Sequence, residues 1–216
     1  ISLKSAGCNY TRTTGIWQTV WLEAVAKNGL QDCFIVPDLD NSRFTFQPRF
    51  YAVERGMKFR VKLLDGKNVV AQQEVAAGDN ISNSLEIKSP KTWSPASPFL
   101  YEVVYQVLDK NNQVTDEVKG YAGLRKVHIE GNQIFLNNQP IFLRLVLDQG
   151  FYKDGIWTAP TDEALKNDIQ LSMDAGFNGA RLHQKVFEER FHYWADKMGY
   201  LTWGESSSWG ISENDI

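Results

Sequence analysis

Between residues 57 and 63 the chain sets Met57, Phe59, Val61 and Leu63 against Lys58, Arg60 and Lys62, apolar and cationic side chains in strict alternation. That period of two belongs to a half-buried β-strand, because successive side chains of an extended backbone point to opposite faces. Asp65-Gly66 follows, a hairpin signal, and residues 67–75 read as the returning strand. The pattern recurs at Tyr101, Val103, Tyr105 and Val107, with Glu102, Val104 and Gln106 on the other side. Asn111-Asn112 then makes a turn into a partner over 114–121. Phe44, Phe46, Pro48 and Phe50 alternate as well, and 17–25, 32–36 and 81–87 complete the set. About seven or eight short strands in roughly 105 residues, uninterrupted by any helical period, is the profile of an immunoglobulin-like β-sandwich.

The grammar changes near Arg125. Residues 127–129 and 134–136 form a short predicted hairpin, and 137–140 a turn. The run IFLRLVL over 141–147 has the nearly continuous apolar character of a strand buried on both faces of a parallel sheet. After a long loop, Thr161 can cap a helix whose first turn holds Asp162 and Glu163. Leu165, Ile169 and Met173 keep helical spacing, and Gly176 stands where a C-terminal glycine stop belongs. A second strand over 177–182 leads to a second helix with Phe187, Phe191, Trp194 and Met198 on one face. Gly199 stops that helix, and 200–203 form a third strand. The order β-α-β-α-β gives two crossover units of a parallel sheet. A complete (β/α)8 TIM barrel takes about 250 residues, so only its first part fits here; a small open α/β layer is the other reading. The chain ends at Ile216 in a polar loop, where a truncation is expected rather than a designed stop. The expected limits are a sandwich over 22–123 and the start of a barrel over 124–216.

Composition closes off several classes. With 43% hydrophobic and 23% charged residues and a net charge of −3, the chain reads as an ordinary globular one. Its basic residues form no run interleaved with aromatics, so nucleic acid is not an expected partner. It has no apolar run near the ~20 residues of a membrane span. Cys8 and Cys33 fit no metal-ligand spacing, nor do His128, His183 and His192; no metal or cofactor is expected. The two thiols read as buried and free, or as one disulfide if the protein is exported. Seven Trp, eight Tyr and twelve Phe suit a sandwich core, and such rings also stack on the apolar face of a sugar.

In a parallel barrel, functional side chains gather at the C-terminal ends of strands and just beyond. That rule selects Asp148, Gln149 and Tyr152 after the first strand, Arg181, His183 and Lys185 after the second, and Trp203, Glu205 and the run Ser206-Ser207-Ser208-Trp209 after the third. A cup of carboxylates, cations and indoles suits a polyhydroxylated ligand. Each residue also has a plainer reading. Asp148 can form the turn after its strand, Arg181 can pair with Glu205 or Asp148, His183 can be a satisfied buried histidine, and the serines can be loop. Glu205 is the strongest lone acid/base candidate, with a substrate-orienting or structural carboxylate as the plainer role.

At these residues the chain resembles glycoside hydrolase family 2, the family of β-galactosidases, β-glucuronidases and β-mannosidases. TTGIWQTVWLE (13–23) is similar to the segment where the family's sugar-binding jelly roll passes into its sandwich. WSPASPFLYEVVYQV (93–107) is similar to the "W.P..P.LY" strand late in the sandwich. GYAGLRKVHIEGNQIFLNNQPIFLRLV (120–146) resembles the entry to the barrel, and DAGFNGARLHQKVFEERFHYWADKMGYLTWGE (174–205) its second and third strands. The chain departs from the family where R-x-S-H-Y-P is usual, with Arg181-Leu182-His183-Gln184-Lys185 in its place.

The resemblance implies an internal piece of a retaining glycosidase acting on β-linked sugars of an oligo- or polysaccharide. Residues 1–21 would then be the end of the jelly roll. Arg181 and His183 would lie near the sugar beside the scissile bond, within a substrate-binding set of Asp148, Gln149, Arg181, His183, Lys185, Trp203 and Glu205. The family's acid and nucleophile glutamates follow its fourth and seventh strands. Both are therefore expected after Ile216, and no catalytic residue is expected within this chain. The polysaccharide-degrading habit of such enzymes suggests a periplasmic or extracellular setting, and the open edge of a partial barrel suggests self-association into a homo-oligomer. The competing readings are a non-catalytic carbohydrate-binding or adhesion module, which the β-α-β-α-β tail does not fit, and a small hydrolase built on Glu205 and Asp148, whose three strands could not enclose a site.

Overall fold

The structure, a computed structural model, describes Gly7, Thr11 and residues 13–206. Cys8, Ser207, Ser208, Trp209 and Ile216 lie outside the described residues, and so does the place after Ile216 where the catalytic glutamates are expected. The strands run in the order β1 (Leu30–Asp38), β2 (Arg43–Phe50), β3 (Lys58–Asp65), β4 (Asn68–Ala76), β5 (Asn83–Glu86), β6 (Trp93–Ser94), β7 (Ser97–Pro98), β8 (Tyr101–Leu108), β9 (Val114–Ala122), β10 (Val127–Glu130), β11 (Gln133–Leu136) and β12 (Gln139–Pro140). After them come β13 (Leu145–Asp148), α1 (Asp162–Asp174), β14 (Gly179–Leu182), α2 (Glu189–Met198) and β15 (Leu201–Gly204). They fall into two compact units. One is Glu23–Phe142; the other joins the described residues up to Leu22 with those from Leu143 on.

In the first unit, β1-β2-β5 form one antiparallel sheet and β4-β3-β8-β9 another. The alternation in the sequence decides which side chains lie between the sheets. Phe44 and Phe46 come from one sheet; Phe59, Val61, Leu63, Tyr101, Val103 and Val107 come from the other, all buried in one core. The rings of Phe44 and Tyr101 meet edge to face at 5.9 Å, and those of Phe50 and Phe59 at 5.6 Å. Fully burying a side chain of this size stabilises by about 1.5–3 kcal/mol. Tyr101 also needs a partner for its hydroxyl, whose oxygen accepts the Lys91 N–H at 2.7 Å. Burial pushes the Cys33 thiol up to about 12, which leaves it an inert part of the wall.

The segment 93–125 shows why particular residue types recur there. The Arg125 guanidinium lies 4.4 Å from the ring centre of buried Trp93, a cation–π stack. A side chain on Gly123 would put its Cβ 3.1 Å from Leu100 and 3.3 Å from Trp93, so glycine lets the strand end pass the indole. The hairpin of β10–β12 belongs to this unit. Lys126 pairs with Asp40 at 2.6 Å, Asn138 Nδ2 donates to the same carboxylate at 2.9 Å, and Asn137 Nδ2 donates to the Trp93 carbonyl at 2.9 Å. The hairpin therefore packs with the sandwich, whereas the sequence grouped residues from 124 on with the α/β part.

Two strand expectations change. Residues 17–25 carry no strand, and Val20, Trp21 and Leu22 are exposed. The run 141–147 is strand only from Leu145, because the Ile141 N–H is taken by the Ile134 carbonyl of the hairpin at 2.9 Å.

The second unit holds a three-stranded sheet in sequence order, β13-β14-β15, parallel throughout. Helix α1 starts at Thr161, whose side chain accepts the Ala164 N–H, and Gly176 follows its end with φ of 89°. Helix α2 ends at Gly199 in the left-handed region, where a Cβ would be strained. The helices pack against each other, and Leu165, Ile169, Phe191 and Ala195 cluster with Ala180 and Leu182 of the central strand. Register aligns Leu147, Arg181 and Trp203 across the sheet. These three alternate with the buried residues, so they form a row on the opposite face. There Leu147 is 50% and Trp203 53% exposed.

Candidate functional site

The three strand ends bring the selected residues to one edge of the second unit. Asp148 closes β13, and its carboxylate accepts the Gly150 N–H at 2.8 Å, a turn held by its own side chain. The Asp148 carbonyl accepts the His183 N–H at 2.7 Å, which carries the parallel ladder one step beyond β14 and fixes His183 beside Asp148. Burial raises the Asp148 carboxyl above the usual range, opposed by the Gly150 hydrogen bond and by the positive charge of Lys185. Gln149 follows directly, half-buried.

Arg181 and Glu205 form a close ion pair, with Arg181 Nε donating to one carboxylate oxygen. The other oxygen accepts the Gln184 N–H at 3.2 Å, and Gln184 reaches it from the left-handed region at φ of 53°. The Arg181 hydrogen bond holds the Glu205 carboxyl below the usual range, helped by Gln184 and by the charges of Arg181 and His183. Glu205 is thus an ionised acceptor rather than a proton donor. Trp203, next to Arg181 in register, offers a largely exposed indole face.

Lys185 is the residue whose surroundings differ most from a cation at a rim. It is 4% exposed. Its ammonium donates to the Gly150 carbonyl at 2.7 Å and to the Trp157 carbonyl at 2.8 Å. The rings of Trp17, Tyr152, Trp157 and Phe187 surround it. Of these, sequence reasoning selected Tyr152 as a strand-end residue, put Trp17 at the start of an expected strand and Phe187 on the face of the second helix, and did not single out Trp157.

The strand ends thus supply a carboxyl raised by burial, a neutralised Arg–Glu pair, a histidine and an open indole. The comparisons with known proteins bear on what such an edge belongs to. Residues 30–125, most of the sandwich, match the family model of glycosyl hydrolases family 2. The match supports a fragment of a glycosyl hydrolase family 2 protein. A β-galactosidase of Photobacterium profundum is 25% identical over 210 residues, 90% of this chain and 20% of that protein. A putative β-glucuronidase of Formosa agariphila is 33% identical over 156 residues, 70% of this chain and 15% of that protein. The fold is similar to that of the β-glucuronidase of Ruminococcus gnavus solved with D-glucuronic acid. The TM-score there is 0.74 at 22% identity, covering 84% of this chain and 30% of that one. The chain therefore spans about a fifth or less of the length of such curated relatives.

Proposed function

We propose that this family 2 chain is part of a retaining glycoside hydrolase acting on β-linked sugars of an oligo- or polysaccharide, of β-galactosidase or β-glucuronidase type. Its α/β unit would be the first part of a (β/α)8 barrel. The observation that carries this reading is the winding of the second unit. The strands lie in sequence order, all parallel, with both helices packed together over one face. Doubly wound sheets reverse strand order and place helices on both faces, whereas a barrel keeps them in order with helices outside. The uncovered row Leu147–Arg181–Trp203 then faces the barrel interior, which agrees with the rule that parallel sheets are covered on both sides.

In this reading the sandwich is immunoglobulin-like. Its strand order, with three strands facing four, supports that, and so does Tyr101, which leads into its strand with its hydroxyl tied to backbone upstream. The sandwich with its added hairpin would then run over 23–142 and the barrel part from 143 on, with residues 1–21 the end of a jelly roll. Asp148, Gln149, Arg181, His183, Trp203 and Glu205 would line the sugar site, with Lys185 behind them. The ionised Glu205 and the neutral indole of Trp203 suit hydroxyl acceptance and ring stacking. The acid and nucleophile would come from later strands, after Ile216, because retaining hydrolysis needs two carboxyls about 5–5.5 Å apart, one of them protonated. Export to the periplasm or beyond, and self-association, belong to the same proposal.

The test is an assay with nitrophenyl β-galactoside and nitrophenyl β-glucuronide. The 216-residue chain is expected to release no nitrophenol. Turnover by this chain that is lost in Glu205→Gln would refute the assignment of the catalytic pair to later strands.

A further inference from the structure

An ammonium at 4% exposure is costly unless it is fully engaged. The partners of Lys185 say what it is engaged in. They are two carbonyls that bracket one loop, Gly150 near its start and Trp157 near its end. Between them the chain doubles back, with Tyr152 and Ile156 exchanging backbone hydrogen bonds at 2.8 and 2.9 Å. Ile156 sits in the left-handed region at φ of 54°. A β-branched residue is strained there and stays only where its surroundings over-determine it.

The cage is built for the cation. The ammonium lies 4.9 Å from the ring centre of Phe187, 5.4 Å from Trp17, 5.5 Å from Trp157 and 5.9 Å from Tyr152, within cation–π range of all four. A Cβ on Gly150 would come within 2.6 Å of the ammonium and 2.9 Å of the Phe187 ring, so a glycine there makes room for the contact. The segment before the sandwich is tied to the same loop, since Thr158 Oγ1 donates to the Trp17 carbonyl at 2.5 Å.

We propose that Lys185 is a positioning residue for the strand-end site: its caged ammonium clamps both ends of loop 150–157 and so fixes the turn that presents Asp148 and Gln149. The role of the clamp toward a sugar rests on the reading under Proposed function; the clamp itself does not. Lys185 touches no substrate in this account and acts through Gly150, whose N–H holds the Asp148 carboxylate.

The test is hydrogen exchange at the amides of Tyr152, Ile156 and Thr158. Lys185→Met keeps a stem of similar length in the cage and removes the donors. Exchange in the loop is expected to speed up by about tenfold or more, while amides in α1 and α2 stay within about twofold. Lys185→Arg, which retains the charge and donors, is expected to restore part of the protection, which a purely space-filling role would not require. Gly150→Ala keeps Lys185 in the chain but pushes its ammonium out of the cage, so loosening of the same amides is expected there even if the methionine variant does not fold. Loop exchange unchanged in the folded variants, or an arginine variant no better than methionine, overturns the clamp. A parallel arm adds about 50 mM methyl β-galactoside. Protection of Gly150–Tyr152 in the parent chain but not in Lys185→Met supports both readings. A loop that loosens in the variant while the sugar protects neither protein supports the clamp and counts against the sugar site alone.

Discussion

The two units use the same backbone chemistry to opposite ends. In the sandwich each sheet covers the other, and Phe44, Phe46, Phe59, Val61, Leu63 and Val103 lose all exposure. In the α/β unit the helices cover one face of the sheet, while Leu147, Arg181 and Trp203 stand along the other. The unit that completes its own core carries none of the proposed site residues. The other unit carries the raised Asp148, the Arg181–Glu205 pair, buried Lys185 and a β-branched residue, Ile156, in the left-handed region. The two units thus differ in how far they bury their apolar side chains, and substitutions of equal size should have unequal effects.

The largest effect is expected in the sandwich. Phe59→Ala removes a ring with no exposure that meets Phe50 and Tyr105, and should cost about 3–5 kcal/mol in urea unfolding. Gly123→Ala should follow at about 1–3 kcal/mol, because its Cβ crowds Leu100 and Trp93. Thr161→Ala removes the cap of α1 and should cost about 1 kcal/mol. Leu147→Ala, on the uncovered row, should change stability by less than about 0.5 kcal/mol; a cost rivalling that of Phe59→Ala would mean that this face is packed and the contrast between the units is mistaken.

Two pH dependences sharpen the contrast within the second unit, because Asp148 and Glu205 shift in opposite directions. The folded-state pKa of Asp148 is raised, so its contribution is fully present below the unfolded-state pKa and is lost as pH rises through the folded value. Asp148→Asn should therefore be more stable than the parent at neutral pH, with the gap narrowing in acid. The folded-state pKa of Glu205 is lowered by Arg181, so its contribution is present above the unfolded-state pKa and is lost as pH falls through the folded value. Carboxyl NMR titrations should show the Asp148 midpoint above, and the Glu205 midpoint below, those of ordinary exposed carboxylates.

Much of the sandwich was legible because alternation is a direct record of which face is wet. Met57, Phe59, Val61 and Leu63 are all buried, as their spacing requires. The same signal misled at 17–25, since β-propensity measures fit to a pleated surface and not the presence of a neighbour to pair with. It also overran at 141–144, where a hairpin carbonyl claims the Ile141 N–H, a tertiary contact that leaves no mark on hydropathy. The strand-end rule found Asp148, Arg181, His183 and Glu205 at one edge because position alone selects them. It could not reveal that Lys185 turns inward. A lysine reads as exposed by default, and its cage is assembled from three separate stretches of the chain, Trp17, Tyr152 with Trp157, and Phe187, that are brought together only by folding.

The central claim is that the α/β unit opens a barrel whose reacting carboxyls lie on later strands. Its most direct test compares nitrophenyl β-galactoside and β-glucuronide hydrolysis by this chain and by a longer protein that continues it past Ile216 through those strands. No turnover is expected from the 216-residue chain, and turnover is expected from the longer one. Turnover by this chain alone, abolished by Glu205→Gln, would contradict it.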